Sequence, residues 1–300
     1  TVCDAMRHIK EVGIHKETIY TCYVLERRKL IGIVTAKDLM TMDDDTKIGD
    51  IMETEIISVS TLTDKEDVAH QLRKYNLLAL PVLDTDGLLV GIVTFDDAMD
   101  VMVEEATEDI TKMAAVSPSE KTYFEVSAWE HAKRRIPWLL VLMFSSIITG
   151  TIITRYENAF AAIPLLVSFI PMLMDTGGNC GSQSSTLIIR GIALNQVTFH
   201  DFFRVIWKEF RVSLIVGVVL AVANGLRIYL TYQQAGMAIV IALSLVATVI
   251  SAKLLGCILP MCAKKIGLDP ALMASPLITT IVDASSIMIY FFIATKVFHL

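Results

Sequence analysis

The sequence predicts an α+β soluble part followed by an all-α membrane part of five helices. Hydrophobic residues make up 54% of the 300-residue chain and charged residues only 19%, and the mean hydropathy of +0.57 is too high for an ordinary soluble domain. Residues 1–130 carry 26 acidic and 13 basic side chains, whereas residues 131–300 carry 6 and 13. The acidic part also repeats one strand–turn–strand–helix pattern. The chain therefore divides into two parts of different chemistry.

The cysteines predict neither a disulfide framework nor a zinc site. There are five, an odd number, and none forms a C-x-x-C pair. A reducing cytoplasm suits the soluble part. The chain begins at Thr1, inside a predicted helix and without the features of a signal peptide, so we expect further residues to precede it in the natural protein.

The internal repeat consists of residues 20–38 and 78–97. Each copy contains two short apolar strands around a polar turn and ends in Gly-Ile-Val-Thr-x-x-Asp before a helix. The glycines of the two motifs, Gly32 and Gly91, are 59 residues apart. This pattern resembles tandem CBS domains, with a truncated first repeat at 1–50, a second repeat at 51–112 and a connecting helix at 113–135 before a membrane domain at 136–300.

The resemblance to CBS domains implies an adenine nucleotide, such as ATP, in the cleft between the repeats. The residues that it places there are Tyr20, Thr35, Lys37, Asp38 and Thr94. A simpler explanation is that Thr and Asp at a strand-to-helix junction cap the following helix. Both interpretations remain open on the sequence.

Acidic residues recur on both repeats and on the segment that leads into the membrane. Carboxylate oxygens are the ligands that hard divalent cations prefer, and clustered carboxylates repel one another without a counter-ion. We therefore consider a cytoplasmic sensor of a divalent cation formed by Asp96, Asp97, Asp100, Glu105, Glu108 and Asp109. The alternative is a solvated acidic helix face.

Hydrophobic stretches predict five membrane spans. Each stretch is as long as, or nearly as long as, the ~20 residues that a helix needs to cross a hydrocarbon core. They are residues 136–154, 159–174, 212–230, 236–261 and 271–297. The bias of Lys and Arg in the short loops places the N-terminal half in the cytoplasm and the C-terminus outside. Residues 186–210 are amphipathic and predict a helical connector on the cytoplasmic side.

Two carboxylates, Asp175 and Asp283, lie deep within predicted spans. A charge at this depth costs about 2.5–3.5 kcal/mol on insertion scales, so it normally faces a cavity or an ion path. In the last span, Ser275, Thr279 and Ser286 share one helix face with Asp283, which resembles a pore lining, although each hydroxyl taken singly is more often bonded to its own backbone.

The run Asp-Thr-Gly-Gly-Asn-Cys-Gly-Ser-Gln at 175–183 predicts a break in the second span. Freed carbonyls and the amides of Asn179 and Gln183 would then face water or an ion. The alternative is that the glycines form a close helix-packing site.

That stretch belongs to the longer run Pro-Met-Leu-Met-Asp-Thr-Gly-Gly-Asn-Cys-Gly-Ser-Gln-Ser-Ser-Thr-Leu-Ile-Ile-Arg-Gly at 171–191, and the last span contains Asp-Pro-Ala-Leu-Met-Ala-Ser-Pro-Leu-Ile-Thr-Thr-Ile-Val-Asp at 269–283. With these two runs, the tandem CBS repeats and the five spans, the chain resembles the MgtE family of magnesium channels. The resemblance covers essentially the whole chain and implies a homodimer with the pore on its two-fold axis. The pore residues would be Asp283, Asp175, Gly178, Asn179 and Thr279.

The sequence thus favours a Mg²⁺ channel of the cell membrane, gated by cytoplasmic Mg²⁺, and not an enzyme. Mg²⁺ keeps its waters and is usually held through them by one or two carboxylates, which a pair of Asp283 side chains supplies. The expected partners are a second copy, lipid and Mg²⁺, with no nucleic acid. Two alternatives remain: an intramembrane aspartyl protease that uses Asp175 and Asp283, and a CBS-regulated transporter of another divalent cation.

Overall fold

The computed structural model describes residues 1–119, 121–273 and 275–299, without the side chains of residues 158–160 and 275. The side chain of Ser275, which was predicted to share a helix face with Asp283, therefore lies outside the described residues. The chain forms two compact units, Thr1–Ala106 and Thr107–Leu300. The boundary between the two units falls inside the helix Phe95–Met113.

The first unit contains two small sheets. Strands β1 (Thr21–Glu26) and β2 (Lys29–Thr35) pair antiparallel in one. In the other, β3 (Val59–Ser60) runs parallel to β4 (Ala79–Leu83), which pairs antiparallel with β5 (Leu89–Thr94). The helices are α1 (Val2–Val12), α2 (Ala36–Thr41), α3 (Ile48–Ile51), α4 (Lys65–Tyr75) and α5 (Phe95–Met113).

The internal repeat is present in this unit. The Gly-Ile-Val-Thr motifs end β2 and β5, and each strand passes directly into a helix, α2 or α5. Leu72 of α4 and Leu80 of β4 are fully buried in the core of the second repeat, where apolar side chains of the sheet face the helices. Both copies of the predicted strand–turn–strand–helix pattern are therefore present.

The second unit is helical. Its helices are α6 (Ala128–Arg155), α7 (Glu157–Ala162), α8 (Ile170–Ala193), α9 (Phe202–Tyr232), α10 (Ala235–Lys265) and α11 (Ser275–Phe298). Short 3₁₀ turns at Pro164–Phe169, Phe199–Asp201 and Pro270–Met273 precede α8, α9 and α11. Helix α10 packs against α8, α9 and α11, and α6 packs against α11.

Within the described residues, four helices have the length and apolar composition needed to cross a membrane: α6, the helical segment 199–232 that contains α9, α10, and 270–298 that contains α11. The predicted count of five spans is therefore not confirmed. Helix α8 is 24 residues long, about 36 Å at 1.5 Å per residue, but it carries polar side chains along its length. Its composition, not its length, sets it apart from the other four.

The predicted second span at 159–174 is not one helix. It contains the end of α7, the 3₁₀ turn Pro164–Phe169 and the start of α8. Pro164 explains the interruption, because a proline disfavours the helical conformation of the preceding residue, and Ile163 has φ −137° and ψ 84°.

Two predicted connecting helices also differ from the structure. The segment 113–135 is not a single helix, since α5 ends at Met113 and α6 begins at Ala128. The predicted connector at 186–210 is made from the end of α8, a turn and the start of α9. Some of its apolar residues pack inward, since Ile188 and Ile192 meet Met261 of α10, whereas Phe203 and Trp207 are exposed.

Candidate functional site

The candidate site lies where α8 crosses α11. Three glycines of α8 face α11, and a methyl group added to any of them would meet a neighbouring side chain. At Gly177 it would lie 2.8 Å from Ser286 Oγ, and at Gly181 it would lie 2.8 Å from Ile278 Cγ2. The glycines therefore allow the two helices to approach at a distance that no larger residue permits.

The glycine-rich run does not break the helix. Gly177, Gly178 and Gly181 all lie inside α8, so their backbone groups belong to a continuous helix and the prediction of freed carbonyls at 175–183 is wrong. The alternative, a close helix-packing site, is confirmed. The glycines are tolerated inside a helix here because α10 and α11 occupy the space that side chains would fill.

Asp283 lies beside this crossing. A methyl group built on Gly178 would lie 3.1 Å from Thr279 Cγ2 and 3.9 Å from Asp283 Oδ1, so both side chains lie against the Gly178 backbone. Asp175 is close enough to act electrostatically on Asp283. The structure thus brings together four of the five predicted pore residues.

The exposed face of α8 carries a polar stripe, defined here as Asp175, Asn179, Gln183 and Thr186, each of which is exposed. Spacings of three and four residues place these side chains on one face of the helix. Beside it lies an open groove of 690 Å³, lined by Asn179, Ser182, Gln183, Thr186 and Leu187. In a unit whose other exposed side chains are largely apolar, such a stripe requires water or a polar partner. Asn179, the fifth predicted pore residue, belongs to this stripe.

The hydroxyl groups of α11 bond to their own helix. Thr279 Oγ1 donates to Pro276 O at 2.9 Å, and Ser286 Oγ donates to Val282 O at 2.6 Å. This is the arrangement expected of single hydroxyls in membrane helices. The carboxylate of Asp283, rather than a row of free hydroxyls, is therefore the charged feature of this face.

The predicted sensor residues all lie on α5, and several have a partner. Asp97 accepts from Thr94 at 2.8 Å, Glu105 pairs with Lys65 at 3.1 Å, and Glu108 pairs with Lys112. Within the part of the chain that the structure describes, no three His, Cys, Asp or Glu side chains are close enough to hold a metal ion. The sensor site stays a prediction.

Lys112 joins the end of α5 to the segment before α11. Its Nζ lies 2.7 Å from Asp269 Oδ2, and Asp269 Oδ1 accepts from the Ala271 backbone at 2.8 Å. Burial of the ammonium group lowers the pKa of Lys112, but hydrogen bonds to Asp269 and Glu108 outweigh this and raise it overall. Next to this pair, Met113 packs against Ile189 and Ala271.

Two of the predicted nucleotide residues, Thr35 and Asp38, form a helix cap in the first repeat. Thr35 Oγ1 donates to Asp38 Oδ2 at 2.6 Å, and the Asp38 backbone donates back to Thr35 Oγ1 at 3.2 Å. Hydrogen bonds from the Thr35 side chain and backbone hold the pKa of Asp38 below its usual value. Tyr20 and Lys37 are exposed, and Thr94 is buried. The capping interpretation is confirmed, and nucleotide binding stays a prediction.

A buried charged group escaped the sequence analysis. Lys253, in the middle of α10, is 5% exposed, and its Nζ donates to Ser184 Oγ at 3.3 Å. Ser184 Oγ donates in turn to Glu209 Oε2 at 2.7 Å. A lysine in the centre of the predicted span 236–261 was the available signal, because a charged residue at that depth normally has a partner or a function.

Comparisons with known proteins find two matching family models and several relatives. Residues 170–293 match the MgtE family model, described as a divalent cation transporter, and residues 48–104 match the CBS domain model. The chain is 37% identical to the magnesium transporter MgtE of Bacillus subtilis, over 100% of this chain and 66% of that protein. It is also 37% identical to the magnesium transporter MgtE of Thermus thermophilus, over 98% of this chain and 65% of that protein.

The chain spans slightly less than two thirds of the length of these curated relatives. Two solved structures resemble part of it. The soluble part of a magnesium transporter is 46% identical, covers 35% of this chain and 42% of that chain, and has a TM-score of 0.35. The cytosolic domain of the Mg²⁺ channel MgtE in complex with ATP is 40% identical over 34% of this chain and 41% of that chain, with a TM-score of 0.33. From the two matched relatives and the matched family models, the chain belongs to the MgtE family.

Proposed function

We propose that the chain is one subunit of a homodimeric Mg²⁺ channel in the cell membrane, with Asp283 on the ion path. The observation that carries this proposal is the polar stripe, which is uncovered beside Asp283 in an otherwise apolar helical unit. A second copy placed against this face would enclose a polar path between two sets of carboxylates. Rings of carboxylates are a recurring way to select cations.

The chemistry of the path favours a hydrated divalent cation. Mg²⁺ releases its waters reluctantly, so one or two carboxylates with nearby amides and carbonyls suit it better than a closed protein cage. Asp283, Asp175 and Asn179 offer these groups, and Gly178 and Thr279 keep the helices close. Two matched relatives are named magnesium transporters, which supports Mg²⁺ as the ion for this chain.

The orientation follows from the positive charges of the loops, with the N-terminal unit in the cytoplasm and the C-terminus outside. Helix α6 supports a lipid environment, because its apolar side chains are largely exposed; they include Leu139, Val141, Phe144, Ile147 and Ile148. Such a surface is stable in lipid and costly in water.

Gating by cytoplasmic Mg²⁺ is the second part of the proposal. In a dimer, the carboxylates of two α5 helices would repel each other at low Mg²⁺, and bound Mg²⁺ would bridge them. Glu108 shares Lys112 with Asp269. Mg²⁺ that engaged Glu108 would leave Lys112 to Asp269 alone, strengthen the hold of α5 on the segment before α11, and so favour the closed pore.

ATP is proposed as a regulator at the first repeat. The exposed ring of Tyr20 and the exposed ammonium of Lys37 lie near the Thr35–Asp38 cap. Because that cap already uses the Thr35 hydroxyl, ATP must bind through the remaining acceptors and backbone groups. A rise in the thermal midpoint of the chain at millimolar ATP, lost in Tyr20→Ala and Lys37→Met, is the expected result, and no rise contradicts ATP binding.

The test of the pore is Mg²⁺ uptake into proteoliposomes that contain a Mg²⁺-sensitive dye. Asp283→Asn should abolish uptake while the protein still folds and forms dimers. The matched control is Ser285→Ala, because Ser285 lies two residues along α11, about 200° around the helix from Asp283. Uptake by Asp283→Asn at the level of the unaltered chain would refute the proposed ion path.

The two alternatives give different results in the same preparation. A transporter of another divalent cation would carry Mn²⁺, Ca²⁺ or Co²⁺ faster than Mg²⁺. An aspartyl protease would cleave a membrane peptide, and Asp175→Asn would stop the cleavage. Mg²⁺ uptake without peptide cleavage is the outcome expected here.

A further inference from the structure

The membrane part contains a buried cation that the proposed ion path does not use. Lys253 lies in the middle of α10, roughly 18 Å along the helix axis from its end at Lys265. An ammonium group at this depth is costly unless it has a partner or a function. Among the buried polar side chains that the structure describes in this unit, the others are hydroxyl groups of serine and threonine, and Lys253 alone carries a charge.

Ser184 connects this ammonium group to a carboxylate. Lys253 donates to the Ser184 hydroxyl, which donates in turn to Glu209. Because a hydroxyl can accept and donate at the same time, opposite charges on α10 and α9 are joined through α8. We call these three residues the relay. Glu209 is half-buried, so neither charge of the relay is fully solvated.

The relay lies next to a close backbone contact between α10 and α8. A methyl group added to Gly256 of α10 would overlap the Gly181 carbonyl oxygen and would lie 3.1 Å from Ser184 Cβ. Small residues let helices approach, but a smooth small-residue surface offers little resistance to rotation. Buried polar groups fix the register of helices in other assemblies, and the relay is placed to do so here.

The rotation of α8 matters because α8 carries Asp175 and Asn179 on its exposed face. A turn of α8 about its axis would move both side chains relative to Asp283 on α11. We infer that Lys253 is a positioning residue: through Ser184 and Glu209 it fixes the rotation of α8 and thereby the ion selectivity of the path. This inference rests on the proposed channel function.

The test uses the whole chain in proteoliposomes with Lys253→Met, Glu209→Gln and the double variant. Met keeps the unbranched stem without the charge, and Gln keeps an acceptor for Ser184. Each single variant should lower the ratio of Mg²⁺ to Ca²⁺ uptake by about threefold or more. The reason is that the remaining charge, on Glu209 or on Lys253, has no oppositely charged partner, and α8 then shifts. The double variant should return the ratio to within about twofold of the unaltered chain, and Lys253→Arg should keep it.

Loss of folded protein lowers the uptake of both ions equally, so the ratio separates positioning from stability. An unchanged ratio in Lys253→Met overturns the inference. The thermal midpoints of the purified variants give a second result that does not depend on transport. The double variant should unfold at a higher temperature than either single variant. If the decrease in its thermal midpoint instead equals the sum of the decreases in the two single variants, the two charges are not coupled. If the unaltered chain carries no Mg²⁺, the proposed function fails, and the midpoints still decide whether the relay exists.

Discussion

The ion pair between Lys112 and Asp269 gives the sharpest test of the proposed coupling between α5 and α11. If the pair holds the closed state, breaking it should make closure require more cytoplasmic Mg²⁺. The variants are Lys112→Met, which keeps the side-chain stem, and Asp269→Asn, which keeps an acceptor for the Ala271 amide. Both remove charge with little loss of packing.

The free energy that the ion pair contributes can be estimated from its burial. The two side chains are 24% and 32% exposed, and the atoms lie 2.7 Å apart. A fully exposed pair contributes about 0.2–1 kcal/mol, and a hydrogen bond between charged groups about 1.5–3 kcal/mol. We take about 2 kcal/mol, which is roughly a 30-fold change in a two-state equilibrium. The half-closing Mg²⁺ concentration should then rise roughly 30-fold if one ion drives closure, and about threefold if three ions act together.

The assay is single-channel recording while cytoplasmic Mg²⁺ is stepped from micromolar to about 10 mM, a range of weak carboxylate sites. The matched control is Lys121→Met, since Lys121 lies 3.8 Å from Glu130 and is 60% exposed, so its loss should change the half-closing concentration by less than about twofold. The double variant Lys112→Met, Asp269→Asn should shift no further than one single variant. Equal responses in the control and test variants, or shifts that add in the double, would refute the reasoning.

Three further results are expected. Gly256→Ala should lower the thermal midpoint and the Mg²⁺ uptake by overpacking α8 against α10, a cost of about 1–3 kcal/mol, whereas Gly150→Ala, with nothing within 4 Å of the added methyl group, should leave both unchanged. Thr35→Ala should destabilise the first repeat by about 1 kcal/mol, measured by denaturant unfolding of the whole chain, and an equal effect of Thr18→Ala would contradict the cap. Because the pKa of Asp38 is lowered in the folded chain, the contribution of Asp38 to stability is present above the ordinary carboxyl pKa and is lost as the pH falls through the lowered value. Asp38→Asn should remove this part of the acid destabilisation. An unchanged midpoint of acid unfolding in Asp38→Asn would contradict this expectation.

Local sequence patterns predicted much of the fold. The paired Gly-Ile-Val-Thr-x-x-Asp motifs predicted two strand–helix junctions, and Thr35 with Asp38 forms the expected cap. This worked because a cap involves residues three positions apart in the chain. Apolar length likewise located α6, α9, α10 and α11. The prediction of one helix over residues 159–174 was wrong, because Pro164 interrupts a stretch that is continuous in hydropathy.

The sequence could also place Asp283 and Thr279 on one helix face, but it could not say what lies opposite. The glycines of α8 are compatible with a broken helix and with a close crossing, and only the position of α11 excludes the break. Whether Asp283 binds Mg²⁺ and whether α5 senses it stay predictions, since both depend on an ion and a second chain.

By itself, the sequence determined the division of the chain into an acidic repeat and an apolar helical part, because composition and short-range periodicity fix these features. Only the tertiary structure decided that α8 is continuous, that its polar stripe lies uncovered beside Asp283, and that Lys253 reaches Glu209 through Ser184. Ser184 and Lys253 are 69 positions apart. Such contacts depend on how helices pack, and the energy of a buried charge is set by the partner that packing brings to it.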